Sequence, residues 1–267
     1  MHMLNDYASP VVVKYGGNAM GAGGPDPVLD EAARLHKEGT PLILVHGGGP
    51  EIDRWLGLQG VQTRRVDGLR VTDEQTLEIT EAVLCATINK RLVRELAARD
   101  VVAAGISGED GGLLQAVRIT GSHGEDLGYV GGRTRCDPAL LRLLLSANYL
   151  PVVAPLALSS NAAHALNVNA DLAAAAIAAA LGARAFVQIT NVQRVRRDPD
   201  DPSSGIDAMS LDQARAFAQT PACAGGMRPK IDAAIAAVEG GAHAAYICAA
   251  GPDAIARALA GDATLVT

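Results

Sequence analysis

The chain has 267 residues, 49% of them hydrophobic and 19% charged, enough apolar material for a large core, which excludes a wholly disordered chain. At this length it forms one large domain or two intimate lobes rather than a string of modules. Its 23 basic and 29 acidic residues leave a net charge of −6. With no basic run, binding to nucleic acid through the phosphates is not expected, although a local cluster of lysines and amides can still hold a small anion.

Taken in chain order, MHMLNDYASP at the start has neither a basic flank nor an apolar h-region, so it does not read as a secretory signal. Short apolar runs then recur at Val11–Val13, Pro41–Val45, Val101–Ile106, Leu150–Ala154, Ala185–Ile189 and Ala244–Ile247. Such runs, bounded by glycine or polar turns, suit strands buried on both faces. Helical patterns lie between them, as at Val28–Glu38 closed by Gly39 and Pro229–Glu239 closed by Gly240. A long helix is expected to start at Thr72, with Gln75 at capping-box spacing, and to carry the stripe Ile79, Val83, Ile88, Leu92 and Leu96 to about Ala98. The Gly-rich stretch Gly108–Asp137 reads as an excursion bearing a hairpin, and Arg194–Gly205 as a polar, Pro-rich surface loop. The alternation predicts an α/β fold with a largely parallel sheet covered by helices on both sides.

The apolar stretch Leu172–Ala183 is too short for a membrane span, which needs about 20 residues. Cys85, Cys136, Cys223 and Cys248 form no CxxC pair and read as free thiols in a reducing compartment. The histidines show no HExxH spacing, so no metal site is expected. A soluble, cytoplasmic protein is expected.

Four segments carry chemistry. Lys14-Tyr15-Gly16-Gly17-Asn18 follows the first strand, and a lysine there points into the crevice where α/β sheets bind ligands. His46-Gly47-Gly48-Gly49-Pro50 ends the second strand and opens a helix, so its amides and the helix dipole suit an anion. His46 invites a general-base reading, but the glycine amides are the stronger candidates. Asn167, Asn169 and Asp171 alternate at the start of an Ala-rich helix, as a polar ligand would require, or as helix capping by Asn169 or Asp171 alone would. In Gly225-Gly226-Met227-Arg228-Pro229-Lys230, a lysine sits near a helix N-terminus, where a cation is unfavourable unless an anion joins it. The other readings of the two lysines are solvated side chains. Neither GxxxxGK[ST] nor a GxGxxG dinucleotide fingerprint is present, so phosphate handling must use another arrangement.

The blocks KYGGNAM (14–20), LVHGGGPEID (44–53), DGLRVTD (67–73), NKRLV (89–93), NVNAD (167–171), ITNV (189–192) and GGMRPK (225–230) together resemble the amino acid kinase family, in its order and over almost the whole chain. Within it they are most similar to the branch that phosphorylates N-acetylglutamate. The resemblance implies an open αβα sandwich around a mainly parallel sheet of about eight strands, the amino acid kinase or carbamate kinase-like fold. It implies a single domain over 1–267, with residues up to about 160 holding the amino-acid substrate and the dimer contact, and residues from about 161 holding ATP. The implied reaction moves the γ-phosphoryl of MgATP to the side-chain carboxylate of N-acetyl-L-glutamate, a step of arginine biosynthesis by the acetylated route. By resemblance, Lys14 and Lys230 stabilise the transferring group and Asp171 holds both. Amides of Gly17, Gly47 and Gly48 line the phosphoryl path. Arg70 clamps the substrate α-carboxylate, and Asn167 and Asn169 complete its pocket. ATP lies against Gly16, Gly17, Asn191, Val192, Arg196, Ala224 and Gly226.

The family often has Asp where Asn191 stands and glycine where Arg194 stands. Its arginine-inhibited hexameric members carry a longer N-terminal helix and a C-terminal pattern not evident in Tyr246–Thr267, so the expectation is a homodimer insensitive to arginine, with no nucleic-acid or membrane partner. Two rivals remain: a sister kinase acting on carrier-linked aminoadipate or glutamate in lysine biosynthesis, and a nucleotide-sensing homologue without catalysis. A third, carbamate kinase, has longer insertions.

Overall fold

The buried apolar runs assemble into one sheet. The computed structural model describes residues 9–17, 20, 25–161 and 164–267. Asn18 and Ala19 of the first glycine block, and the first eight residues read above for a signal, lie outside the described residues. The first part of the chain runs β1 (Val11–Tyr15), α1 (Pro27–Lys37), β2 (Leu42–His46), α2 (Gly49–Leu58), β3 (Arg65–Val66), β4 (Leu69–Arg70) and α3 (Glu74–Glu81). A π-helical stretch, Ala82–Ile88, joins α3 to α4 (Asn89–Ala97). Then come β5 (Ala103–Ser107), β6 (Leu114–Thr120), β7 (Asp126–Cys136), α5 (Ala139–Ser146), β8 (Leu150–Ala154), β9 (Leu156–Ser159) and β10 (Ala165–Val168). The remainder is α6 (Ala170–Leu181), β11 (Ala185–Thr190), β12 (Ala208–Met209), α7 (Leu211–Ala218), α8 (Arg228–Glu239), β13 (Ala245–Ala249), α9 (Ala254–Leu259) and β14 (Thr264–Val266).

The main sheet has eight strands in the order β12-β14-β13-β11-β1-β2-β8-β5. From β13 to β5 the neighbours are parallel; only β14, antiparallel to β13, and β12 beside it run the other way. Every residue of β1, β2, β8 and β11 is buried, as continuous apolar runs require when helices cover both faces. Strand alternation divides the core. Val11, Val13 and Tyr15 pack with Leu29, Leu56, Leu92 and Ile255 of α1, α2, α4 and α9. Val12 packs on the other face with Ile177 and Ile231 of α6 and α8. Lys14 therefore projects toward α6 and α8, because successive side chains of a strand point to opposite faces.

Three local features differ from expectation. The cap of α3 is Asp73, whose carboxylate accepts from Thr76 N at 2.8 Å; Thr72 is wholly buried and its hydroxyl donates instead to Arg70 O. The long helix is not uniformly α-helical but passes through the π stretch. The expected hairpin exists as β6–β7, but it closes into a four-stranded barrel with β9 and β10, strands of four residues each that are too short for periodicity to announce.

Candidate functional site

At the centre of the sheet β11, β1 and β2 lie side by side and parallel. The chain fills the sheet outward from β1 in both directions, and this reversal of strand order opens a crevice at the C-terminal strand ends. A cleft of about 380 Å³ lies there, lined by both glycine turns and by the starts of α2, α6 and α8.

Its floor is a charge triad. Lys14 Nζ is 2.8 Å from Asp171 Oδ1, and Lys230 Nζ donates to Asp171 Oδ2 at 3.3 Å. Lys14 and Asp171 are buried; Lys230 is partly so. Burial draws Lys14 below the ordinary lysine pKa; Asp171 opposes the drop and Lys230 adds to it. Burial pushes Asp171 upward, but the charges of Lys14 and Lys230 outweigh it and hold the carboxyl below its ordinary value. One carboxylate thus faces two ammonium groups, leaving one surplus positive charge at the floor for an anion to neutralise. Lys230 sits in the first turn of α8, against the helix dipole, and Asp171 offsets that cost. Gln188, paired with Lys14 across β1 and β11, donates to Lys230 O at 2.9 Å and ties the start of α8 to the sheet.

The two glycine turns face each other above the lysines. A Cβ on Gly17 would stand 3.2 Å from the backbone nitrogens of Gly48 and Gly49, so only glycine lets the turns approach this closely. Gly47 donates its N–H to Tyr15 O at 2.9 Å. The expectation that all three amides line the phosphoryl path is corrected accordingly: Gly47 borders the cleft, but its N–H already has an acceptor. The turn leads directly into α2, whose N-terminal dipole adds to the attraction for an anion. His46 is fully buried and absent from the cleft lining, which keeps it from a substrate proton, and that burial pushes its pKa down to about 4, so the imidazole is neutral.

The opposite end of the cleft is built around Arg70. Its guanidinium pairs with Asp53, and it also donates to Gly49 O at 3.2 Å and Thr63 Oγ1 at 3.3 Å. Asp53 holds Arg65 too, at 2.7 Å. Burial pushes Asp53 upward, but the hydrogen bonds from Arg70, Arg65 and Thr63 prevail and hold it at about 2. Asn167 Nδ2 donates to Thr72 Oγ1 at 3.1 Å, and Asn169 caps α6 by accepting from Asp171 N at 2.7 Å. Capping and cleft lining are therefore compatible, because capping engages only the oxygen of the Asn169 amide. The sequence reading missed Asp53, Thr63 and Arg65. The signal available was Arg70 itself: a buried guanidinium needs a counterion, and Asp53 closes the glycine block.

Of the residues assigned to ATP, Gly16, Gly17 and Asn191 line the cleft, whereas Val192, Arg196, Ala224 and Gly226 lie outside its lining. Val192 is partly buried, with its N–H on Thr190 Oγ1 at 3.2 Å. Arg196 donates to Pro199 O at 3.1 Å and bridges to Gly205. Ala224 and Gly226 are exposed at the short turn before α8.

A parallel sheet that brings two lysines onto one carboxylate between facing glycine turns defines a class: an α/β protein whose cleft at the strand ends carries surplus positive charge. The amino acid kinase family model matches residues 9–249, and the chain belongs to that family. It is 39% identical, over 89% of its length and 83% of the relative's, to the acetylglutamate kinase of Symbiobacterium thermophilum. The N-acetylglutamate synthase of Neisseria gonorrhoeae, solved with coenzyme A and N-acetyl-glutamate, superposes with a TM-score of 0.78 at 28% identity; the match covers 97% of this chain and 59% of that one. The carbamate kinase of Giardia lamblia bound to AMP-PNP shares the fold, with a TM-score of 0.67 at 17% identity over 99% of both chains.

Proposed function

We propose that the protein is an ATP-dependent kinase that phosphorylates the γ-carboxylate of N-acetyl-L-glutamate, giving N-acetyl-L-glutamyl 5-phosphate for arginine biosynthesis. The observation that carries this reading is the Lys14–Asp171–Lys230 triad, set beneath facing glycine turns in a chain so similar to an acetylglutamate kinase. In the transfer, an oxygen of the acceptor carboxylate bonds to the γ-phosphorus as the bond from that phosphorus to the β-bridging oxygen breaks, and ADP leaves. The acceptor is already ionised at neutral pH, so no proton need be removed. Positioning and charge stabilisation are what remains for the protein. Lys14 and Lys230 supply the charge, from an N-terminal half that holds the amino acid and a C-terminal half that holds the nucleotide. Asp171 keeps both ammonium groups in register. Arg70, with its planar fork, clamps the substrate α-carboxylate, while Asn167 and the free Asn169 amide hydrogens face the rest of the amino acid.

Mg2+ enters with the nucleotide, as MgATP, where it neutralises phosphate charge. The homodimer is supported by the edge of the main sheet at β5, immediately before which Val102 is exposed. No helix among the described residues is long and apolar enough to cross a membrane, and a cytoplasmic location suits an enzyme drawing on the ATP pool.

The test is the reaction itself. Free N-acetylglutamate with MgATP should give an acyl phosphate trapped by hydroxylamine as its hydroxamate, while N-acetylaminoadipate, aspartate and carbamate give little. Absence of the acetylglutamyl hydroxamate, or turnover only with a carrier-linked acceptor, overturns the reading.

A further inference from the structure

Among the buried polar groups that the phosphoryl-transfer reading does not use, His46 lies next to the glycine turn. His46 ends β2 and is shielded from solvent, yet its ring makes two specific contacts. Nδ1 lies 3.0 Å from Gly47 O, and Nε2 lies 3.3 Å from Asn89 Nδ2. A carbonyl only accepts, so Nδ1 carries the proton, and Nε2 is left to accept from Asn89. Asn89 is itself buried at the end of the π stretch, and its Nδ2 also reaches Val152 O at 2.8 Å and Ile106 O at 3.2 Å. The imidazole is thereby anchored to two further strands of the sheet.

The consequence falls on the glycine turn. Across a planar trans peptide the C=O and N–H point in opposite directions. Holding Gly47 O against the imidazole therefore turns the Gly48 N–H away from it, toward Gly17 and the cleft. Gly48 is buried, and its N–H finds no protein acceptor among the described residues, a costly state for a buried amide without a ligand. The π stretch presses on the same glycine from behind: a Cβ on Gly48 would meet Ile88 Cδ1 at 2.6 Å and Leu84 Cδ2 at 2.7 Å.

We propose that His46 and Asn89 are positioning residues that fix the plane of the Gly47–Gly48 peptide, so that the Gly48 N–H is aimed at the transferring phosphoryl group. This deepens the kinase reading and rests on it. The imidazole touches no substrate and moves no proton.

Two substitutions at His46 separate positioning from simple core filling. Asn places an N–H close to the Nδ1 position and can keep Gly47 O in place; Gln reaches the Nε2 position and leaves Gly47 O without a donor. His46→Gln should lower kcat about 10- to 100-fold, less than the roughly 100- to 1000-fold of deleting a preorganised donor outright, because the Gly48 N–H is misaimed rather than removed, with both KM values changed less than about threefold. His46→Asn should recover most of that loss. Asn89→Ser, one bond further from the turn, should lower kcat by less than His46→Gln does. Binding of MgADP with aluminium fluoride, which presents a phosphoryl-like anion without needing turnover, should weaken in the same order. Equal losses in the Asn and Gln variants, or a folded Gln variant with wild-type kcat and fluoride affinity, overturn the proposal. Should His46→Gln fail to fold, Asn89→Ser decides, and wild-type values in it count against the proposal. If the wild type binds the fluoride complex but does not phosphorylate N-acetylglutamate, the acceptor assignment fails, and the ranking of the variants by fluoride affinity still decides the positioning role.

Discussion

The cleft and the turns proposed to hold the nucleotide are built by different means. The floor and the Arg70 end of the cleft are made from strand ends and helix starts fixed by buried or partly buried polar contacts: Lys14 and Asp171 in the core, Arg70 tied to Asp53, Asn169 capping α6. The segments proposed to hold the nucleotide, between Val192 and Gly226, lie outside the cleft lining and are made largely of turns, where Arg196 satisfies a carbonyl three residues away and Ala224 and Gly226 stand in solvent. A group that must stabilise charge in a transition state gains from preorganisation. A site that admits and releases a nucleotide on every cycle gains from segments that need little of it. Substitutions at the floor should therefore act on kcat, and those in the nucleotide turns on KM for ATP.

The largest effect is expected at the floor. Lys230→Ala and Lys14→Ala should each lower kcat by about 100-fold or more, the scale of losing a preorganised charge partner of the transition state, with ATP binding by the Lys230 variant nearly intact. Rapid-quench measurement of the chemical step, with nucleotide affinity measured separately, checks this. A Lys230 variant with normal turnover would remove that residue from the mechanism and erase the contrast between the cleft and the turns.

A smaller effect is expected at Arg70. Lys in its place keeps the charge but loses the fork that can meet Asp53, Thr63, Gly49 and a carboxylate together. KM for N-acetylglutamate should rise by about tenfold or more, the worth of a charge-assisted hydrogen bond, while kcat changes less. Asp53 adds a pH signature. Its folded pKa of about 2 lies below the ordinary 3.8, so its contribution to stability is present above about pH 4 and is lost as the pH falls toward 2. Because the side chain is 37% exposed, solvent screening limits that contribution to about 1 kcal/mol or less. Acid titration of the unfolding free energy should accordingly be flatter between pH 4 and 2 in Asp53→Asn than in the wild type; parallel curves would mean that the Asp53 pair adds nothing beyond geometry.

The same contrast explains what could be read from the amino acids. The six parallel strands were legible as short apolar runs, unbroken in β1, β2, β8 and β11 because these are buried on both faces, and the lysines were legible because each stands near glycines at an element boundary. The pairing of Lys14 and Lys230 through Asp171 became readable only from their order within a family pattern, since no spacing rule connects positions so far apart. Thr72 reads as a helix cap because a hydroxyl before an amphipathic run fits one; Asp73 competes for the same position, and its carboxylate wins while Thr72 bonds into the core. The π stretch, the two short barrel strands, the edge strand β12 and its neighbour β14 leave no periodicity to detect, being set by what packs against them. Asp53 and Asn89 were hidden for a related reason: each works on a partner distant in sequence, Arg70 or His46, and their identities alone do not announce it.

The smallest effect is expected at Arg196. Its side chain is only partly buried and is held by a single carbonyl contact, so a phosphate or ribose oxygen gains from it no more than an exposed charge offers, about 0.2 to 1 kcal/mol. Arg196→Ala should then raise KM for ATP by roughly 1.4- to 5-fold, which is that energy expressed as a ratio, and leave kcat and KM for N-acetylglutamate unchanged. The rise should shrink as salt is added, because exposed charges are screened over about 8 Å at physiological ionic strength. Initial rates at two salt concentrations with ATP varied measure both. A kcat loss approaching that of the floor variants would mean that the turn after β11 closes onto the reacting group, so that the nucleotide turns share the preorganisation assigned here to the strand ends alone.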